Sequence, residues 1–410
     1  MVKRAKRWDG AVKIKHLDVY QMAIPFRTAF KHSQSVRRHS ESIFVRCELT
    51  DGTVGYGESL PREYVTGETW DSCYQILSEQ ILPLLLDCEF SSQNEVEQFC
   101  AEIYGFIRSA MPPTIDYYGA ACCAAELALL DSFGKYFGQS AFASSSNDDP
   151  KYSGVISGSS LMKSIATSWL CRRYRLPAVK LKVGGKNDEL LTRTCRMVLG
   201  NRPSLRIDAN MAWDLPTALD MIPRLQQFGI QYVEQPLPVD NISECRALHE
   251  QTGALIIADE SLRDERDARE LIRRQACQVF NLRVSKCGGF FQSLRLGRIA
   301  REHGIEIQVG CQVGESALLS AVGLALARRL APVVFAEGCF GERLLTEDIL
   351  SDRQTSAAVP FVFGHEGNAP YYAPKAGIGI EIDENRMMQY VRVHRRVERS
   401  LQKKTTSKGF

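Results

Sequence analysis

Five charged residues, Lys182, Asp208, Glu234, Asp259 and Lys286, recur at intervals of 26, 26, 25 and 27 residues. Each stands at or near the end of a short apolar run: residues 178–182, 205–208, 232–234, 255–259 and 279–286. The interval is the length of one strand-plus-helix unit. Charge at the carboxyl ends of successive strands is where an eightfold βα barrel keeps its chemistry. The chain is therefore expected to be an α/β protein built on a (β/α)8-type barrel, a modified TIM barrel, with three carboxylates flanked by two lysines.

A chain of 410 residues has room for a second unit, and the residues before the barrel change character. Strand-like alternation covers residues 12–19 and 41–50, and Asp51-Gly52 reads as a hairpin turn into Val54-Gly55-Tyr56-Gly57-Glu58. Residues 28–40, rich in Ser, His and basic side chains, read as a loop. Helical patterns follow over about 69–86, 94–109 and 115–136, the third packed with small residues. Strands followed by helices mark an α+β domain.

Residues 140–149 read as a linker, after which strands and helices alternate. The first barrel strand is expected at about 152–157, the seventh at 305–309 and the eighth at 333–336. Helices are expected at 188–199, 215–228 and 266–274, among others. The segment 359–393, containing Gly377-Ile-Gly-Ile-Glu-Ile-Asp, reads as strand that returns to the first domain. The expected division is an α+β capping domain from 11–138 plus 358–395, a catalytic barrel from 150–350, and disordered basic tails at 1–10 and 396–410.

A net charge of +3, with 44% hydrophobic and 24% charged residues, points to no nucleic-acid or membrane partner. Thirteen cysteines, scattered without CxxC pairs, read as reduced thiols of a cytoplasmic protein.

In an eight-stranded barrel the second and sixth strands lie opposite one another, so Lys182 and Lys286 are expected to face each other across the mouth. Asp208, Glu234 and Asp259 would stand between them. Three carboxylates without thiolate or imidazole partners suit a hard cation, Mg2+, with Mn2+ able to substitute. Lys180 shares the strand face of Lys182 and is read as its supporting partner, while Lys182 is read as a general base. Asn210 shares the face of Asp208. Glu260 points away from its neighbour Asp259, which is the preferred ligand of the two. A cation that chelates a carboxylate between two lysines would stabilise the enediolate formed when the α-proton leaves.

The motifs Lys180-x-Lys182, Asp208-x-Asn210, Glu234-Gln-Pro, Ala258-Asp-Glu-Ser and Lys286-x-Gly-Gly, in this order, resemble the enolase superfamily and its muconate-lactonizing-enzyme subgroup. The resemblance covers nearly the whole chain. Pro25-Phe-Arg-Thr-Ala, Gly55-x-Gly-Glu and Thr66-Gly-Glu-Thr are similar to the capping domain of dipeptide epimerases. It implies Mg2+ on Asp208, Glu234 and Asp259, and Lys182 with Lys286 as the acid/base pair. The mandelate-racemase branch is disfavoured, because the seventh strand carries no histidine.

One departure falls on specificity. Dipeptide epimerases typically carry Asp-x-Asp at the end of the eighth strand, where this chain has Ala336-Glu337-Gly-Cys339. Glu337 is expected to meet a substrate ammonium, and the basic residues Lys31, Arg37 and Arg38 a distal carboxylate. Thr66 is expected at the substrate, with Cys311 and Cys339 as pocket walls. The expected activity is racemisation or epimerisation of a dipeptide or N-acyl amino acid. The alternatives are muconate-type cycloisomerisation, an o-succinylbenzoate-synthase-like elimination, Schiff-base aldol chemistry, or ligand binding without catalysis. A small-molecule carboxylate is the expected partner, in a homo-oligomer.

Overall fold

The structure, a computed structural model, describes residues 11–32, 35–142, 149–350, 363–370 and 375–399. The chain opens with β1 (Val12–Met22), β2 (Pro25–His32), β3 (Ser35–His39), β4 (Ser42–Leu49), β5 (Val54–Ser59) and the short β6 (Glu89–Phe90). Residues 28–40 are thus largely a two-stranded ribbon and not the expected loop, with Lys31 opposite Val36. Polar composition does not prevent this, because an antiparallel pair satisfies its backbone whatever the side chains are. The helix Gly119–Phe137 packs on β5. A Cβ at Gly57 would overlap the Ala124 carbonyl, so glycine on the strand and alanine on the helix allow the close approach.

Eight parallel strands follow in consecutive order: β7 (Gly154–Ile156), β8 (Ala178–Lys182), β9 (Ser204–Asp208), β10 (Ile230–Glu234), β11 (Leu255–Ala258), β12 (Val279–Leu282), β13 (Glu306–Val309) and β14 (Phe335–Ala336). The Ser153 N–H donates to the Ala336 carbonyl at 2.8 Å, and a parallel bridge joins Tyr152 to Ala336, bringing the last strand back to the first. The curled sheet closes as a barrel.

The final strand, β15 (Val391–Glu398), pairs antiparallel with β1, giving the N-terminal sheet the order β15-β1-β4-β5. Two expectations are corrected here. Within 359–393 the described residues form turns, the 3-10 helix His365–Gly367, isolated bridges at Asn368, Gly377 and Ile382, and the helix Glu384–Met388, and the strand begins only at Val391. Gly377 and Gly379 take φ of 66° and 82°, which breaks an extended run. Residues 396–398 are strand and not tail, because the buried Asp18 accepts from Arg396 Nε and lies against His394 Nε2, both at 2.9 Å. Residues 1–10 and 400–410, and most of the expected linker, lie outside the described residues.

Two buried glutamates fasten the N-terminal unit to the barrel. Glu58, on β5, accepts from the N–H groups of Ser316 (3.0 Å) and Leu319 (3.2 Å) at the start of the helix Ala317–Arg329. Glu126 accepts from Phe290 (2.5 Å) and Phe291 (3.1 Å) at the start of the helix Phe290–Glu302. Free N–H groups and the dipole at a helix start favour a carboxylate there. Gly289, with φ of 119°, precedes the second helix, and a Cβ on it would overlap the Glu126 carboxylate. The Lys286-x-Gly-Gly motif therefore has a packing reason. Among the described residues no helix is long and apolar enough to cross a membrane.

Candidate active site

The strand ends carry an alternating row of ions. Lys182 lies 3.3 Å from Asp208, Asp208 lies 3.4 Å from Lys180, and Lys180 lies 3.3 Å from Glu234. Arg283 stands 3.6 Å from Glu234 and pairs closely with Asp259, which Lys286 reaches at 3.0 Å. All three carboxylates are fully buried. Burial opposes ionisation of Asp208, but Lys182 and Lys180 outweigh it and hold that carboxyl well below the usual range. Glu234 also accepts from Asn281 Nδ2 (3.0 Å) and Gln308 Nε2 (3.1 Å) inside the barrel.

A cavity of about 480 Å3 opens above this row. Lys180, Lys182, Asn210, Arg283, Cys311, Glu337 and Cys339 line it, with Thr28, Ala29 and Tyr64 from the N-terminal unit. Lys182 donates to Asn210 Oδ1 at 2.6 Å, and Asn210 Nδ2 donates to Glu260 at 3.2 Å. Lys286 is buried below the cavity. Its ammonium donates to the Asp259 carbonyl (2.7 Å), the Asn281 carbonyl (2.8 Å) and the Asp259 carboxylate.

Of the expected substrate contacts, Glu337, Cys311 and Cys339 line the cavity. Glu337 lines it, but its carboxylate is taken by Lys180 at 2.9 Å and by Arg206, so it is not open to a ligand ammonium. Arg37 is paired with Glu41, and Arg38 is exposed; neither lines the cavity. The Lys31 side chain lies outside what the structure describes. Thr66 lines a separate crevice between the two units, where its hydroxyl accepts from the Glu68 N–H at 3.3 Å. Burial pushes the Cys339 thiol up to about 12 and the Cys311 thiol well above its usual value, as suits pocket walls.

Four contributors were not expected from the sequence: Arg283, Arg206, Gln312 and Lys163. Arg283 carries a legible signal, since it directly follows β12 inside the run 279–286 that ends at Lys286. Gln312 sits in the loop after β13, where no periodicity applies. Lys163 lines the cavity from the helix Leu161–Arg173, beside Ser159 and Ser160.

The side chains present suit a hard cation in chemistry. Among the described residues no three Asp, Glu, His or Cys side chains already converge as a ligand cluster, because Lys180 and Arg283 stand between the carboxylates. The donors are oxygens, however, and Glu260 Oε2 is a buried carboxylate oxygen without a hydrogen-bond partner. Burial and the adjacent Asp259 push the Glu260 carboxyl up to about 8. A divalent cation would relieve that crowding of negative charge.

Arg206 shows how much the row depends on its floor. Its side chain is fully buried, pairs with Glu337, donates to Ser153 Oγ at 3.1 Å and lies 4.2 Å from the centre of the Phe335 ring. Arg206→Met should destabilise the protein by about 3–5 kcal/mol, the cost of leaving one buried partner of an ion pair behind. Denaturant midpoints measure this. Adding Glu337→Gln should recover part of the loss, and an unchanged midpoint in Arg206→Met would refute the pairing.

Comparison with known proteins agrees with this architecture. Residues 165–386 match the family described as enolase C-terminal domain-like. The N-succinyl-L-Arg/Lys racemase of Bacillus cereus is 27% identical over 384 residues, covering 92% of this chain and 98% of the relative. The chloromuconate cycloisomerase CbnB of Cupriavidus necator is 28% identical, covering 93% of this chain and all of the relative. A crystal structure of the dipeptide epimerase of Cytophaga hutchinsonii, complexed with Mg and D-Ala-L-Val, superposes with a TM-score of 0.81 at 22% identity, over 94% of this chain and 100% of that one. That likeness bears on fold alone.

Proposed function

We infer the chemistry from the family: the chain belongs to the enolase superfamily and is one of its isomerases. Within it, the chain removes the proton α to a carboxylate and returns a proton to the same carbon, racemising or epimerising a dipeptide or N-acyl amino acid. The observation that carries this reading is the pair of lysines at the carboxyl ends of the second and sixth of eight consecutive strands, Lys182 as the last residue of β8 and Lys286 four residues past the end of β12, on strands four steps apart and so on opposite sides. Inversion of a carbon needs one proton donor and one acceptor on opposite faces.

Lys182 takes the α-proton from the cavity side, with Asn210 and Asp208 fixing its amine. Lys286 delivers a proton to the other face once its ammonium turns from Asp259 and the Asn281 carbonyl. A Mg2+ ion held by Asp208, Glu234 and Asp259 would supply positive charge to the substrate carboxylate; members of this family generally depend on Mg2+. Lys180 and Arg283 lie against the same carboxylates and offset part of their charge. The N-terminal unit covers the mouth through Thr28, Ala29 and Tyr64 and excludes water, which strengthens the electrostatics beneath.

A second reading rests on the burial of Lys286, which donates to three acceptors and does not line the cavity. If it stays there, Lys182 is the only base, and cycloisomerisation or elimination follows. The test is a library of dipeptides and N-acyl amino acids incubated in D2O with Mg2+. Deuterium entering from either enantiomer, together with inversion, supports the two-base reading. Exchange from one enantiomer without inversion supports the second, and no exchange with any member of the library counts against the racemase or epimerase reading.

A further inference from the structure

Gln312 presents a feature that folding alone does not explain. Its side chain is 3% exposed and lines the cavity. Both ends of the residue are fixed: its backbone N–H donates to Glu315 Oε1 at 2.6 Å, and its side-chain Oε1 accepts from Arg283 Nη1 at 3.1 Å. The next residue is tied to the N-terminal unit, because the buried Arg62 donates to the Val313 carbonyl at 2.8 Å. An arginine only donates, so the oxygen of the carboxamide must face Arg283 and the NH2 must be at the other end. That nitrogen, Nε2, is buried without a hydrogen-bond partner. An orphaned buried donor costs stability, and in a native protein it asks for an explanation.

We propose that Gln312 is a specificity-determining residue whose Nε2 donates to the carbonyl oxygen of an acylated α-nitrogen on the substrate. This rests on the proposed racemase or epimerase reading and narrows it. A dipeptide and an N-acyl amino acid share that carbonyl, whereas a muconate-type diacid has no amide there. The donor is held in place before the ligand arrives, by Arg283 on one side and by the Arg62-tethered loop on the other. A ligand with an oxygen at this point gains a bond without ordering a new side chain. A ligand lacking it leaves the donor unpaired, and a site built around a buried polar group rejects such analogues strongly.

Two probes and two variants test the assignment by calorimetric binding in the presence of Mg2+, with no turnover required. N-acetyl-L-alanine carries the carbonyl; 2,4-dimethylpentanoate keeps the α-carboxylate and the branching but replaces the amide by hydrocarbon. Gln312→Met removes both the donor and the acceptor, while Gln312→Glu keeps an acceptor for Arg283, removes the donor and adds a negative charge that acts on both anionic probes alike. In both variants the affinity for N-acetyl-L-alanine relative to that for 2,4-dimethylpentanoate should fall about 10- to 100-fold below the wild-type ratio. The second affinity also reports that the variants are folded. Wild-type affinity for N-acetyl-L-alanine in Gln312→Glu would overturn the proposal. So would equal losses for both probes, or no binding of N-acetyl-L-alanine by the wild type. Discrimination between the probes without racemisation of any library member would overturn the proposed reaction and leave the role of Gln312 intact.

Discussion

Alanine at Lys182 is expected to lower turnover by about 10^2- to 10^4-fold, the range a positioned acid or base contributes. Lys182 is the strand-end lysine that lines the cavity with Asn210 as its partner, and its strand neighbour Lys180 cannot replace it because it is held by Glu234, Asp208 and Glu337. Burial works to lower the Lys180 pKa, but the carboxylates of Glu234, Glu337 and Asp208 outweigh it and hold that ammonium protonated above its ordinary value. Lys286→Ala should lower turnover as much, and each variant should retain α-proton exchange with one enantiomer only. Full inversion by either variant would end the two-base reading. Loss of all exchange in Lys182→Ala, with none lost in Lys286→Ala, would establish one-base chemistry. Because Lys286 also ties Asp259 to the Asn281 carbonyl, a thermal melt must accompany its variant to separate lost chemistry from lost fold.

Asp208→Asn and Glu234→Gln are each expected to abolish activity that depends on Mg2+ and to weaken binding of the ion itself. The loss of affinity should exceed the roughly 10- to 100-fold that follows removal of a residue supporting a metal ligand. The prediction starts from the alternating row, where Lys180 and Arg283 hold the three carboxylates by charge. Binding should be read directly, by calorimetry with Mg2+ or by the spin resonance of Mn2+. Undiminished activity after exhaustive chelation would exclude the assignment. Undiminished ion binding in both variants would move the site elsewhere, with Glu260 and its unpartnered oxygen the next residue to substitute.

The barrel was legible because its signal is local. A short apolar run closed by a charge, repeated every 26 residues or so, needs no knowledge of distant contacts, and β8 to β12 lie on those runs, with β12 ending at Leu282, four residues before Lys286. The short strands β7 and β14 were overestimated at their ends, since their apolar flanks pack as connecting backbone and do not extend the ladder. The ribbon of β2 and β3 was missed because its polar composition resembles that of a loop. The extent of β15 was missed because its arginines look solvated until Asp18 is placed beneath Arg396.

The sequence by itself determined the phase of Lys182, Asp208 and Glu234 on successive strand ends, because a side chain's face follows from its position within its own strand, whereas Asp259 and Lys286 follow their strands by one and four residues and the turns there set where they go. The tertiary structure alone decided which charges meet. Lys180 reaches Glu337 across 157 positions of sequence and Arg206 reaches the same carboxylate across 131. Closure of the barrel brings those strands together, and so Glu337, which looked like an open acid for a substrate ammonium, is occupied from within. Gln312 is the opposite case: an unremarkable residue in a loop, given a held and unpaired donor only because Arg283 and Arg62 arrive from two other parts of the fold. Ion pairing and hydrogen bonding act over a few ångströms, and no spacing along a chain reports distances that only the closed barrel and its docked cap create.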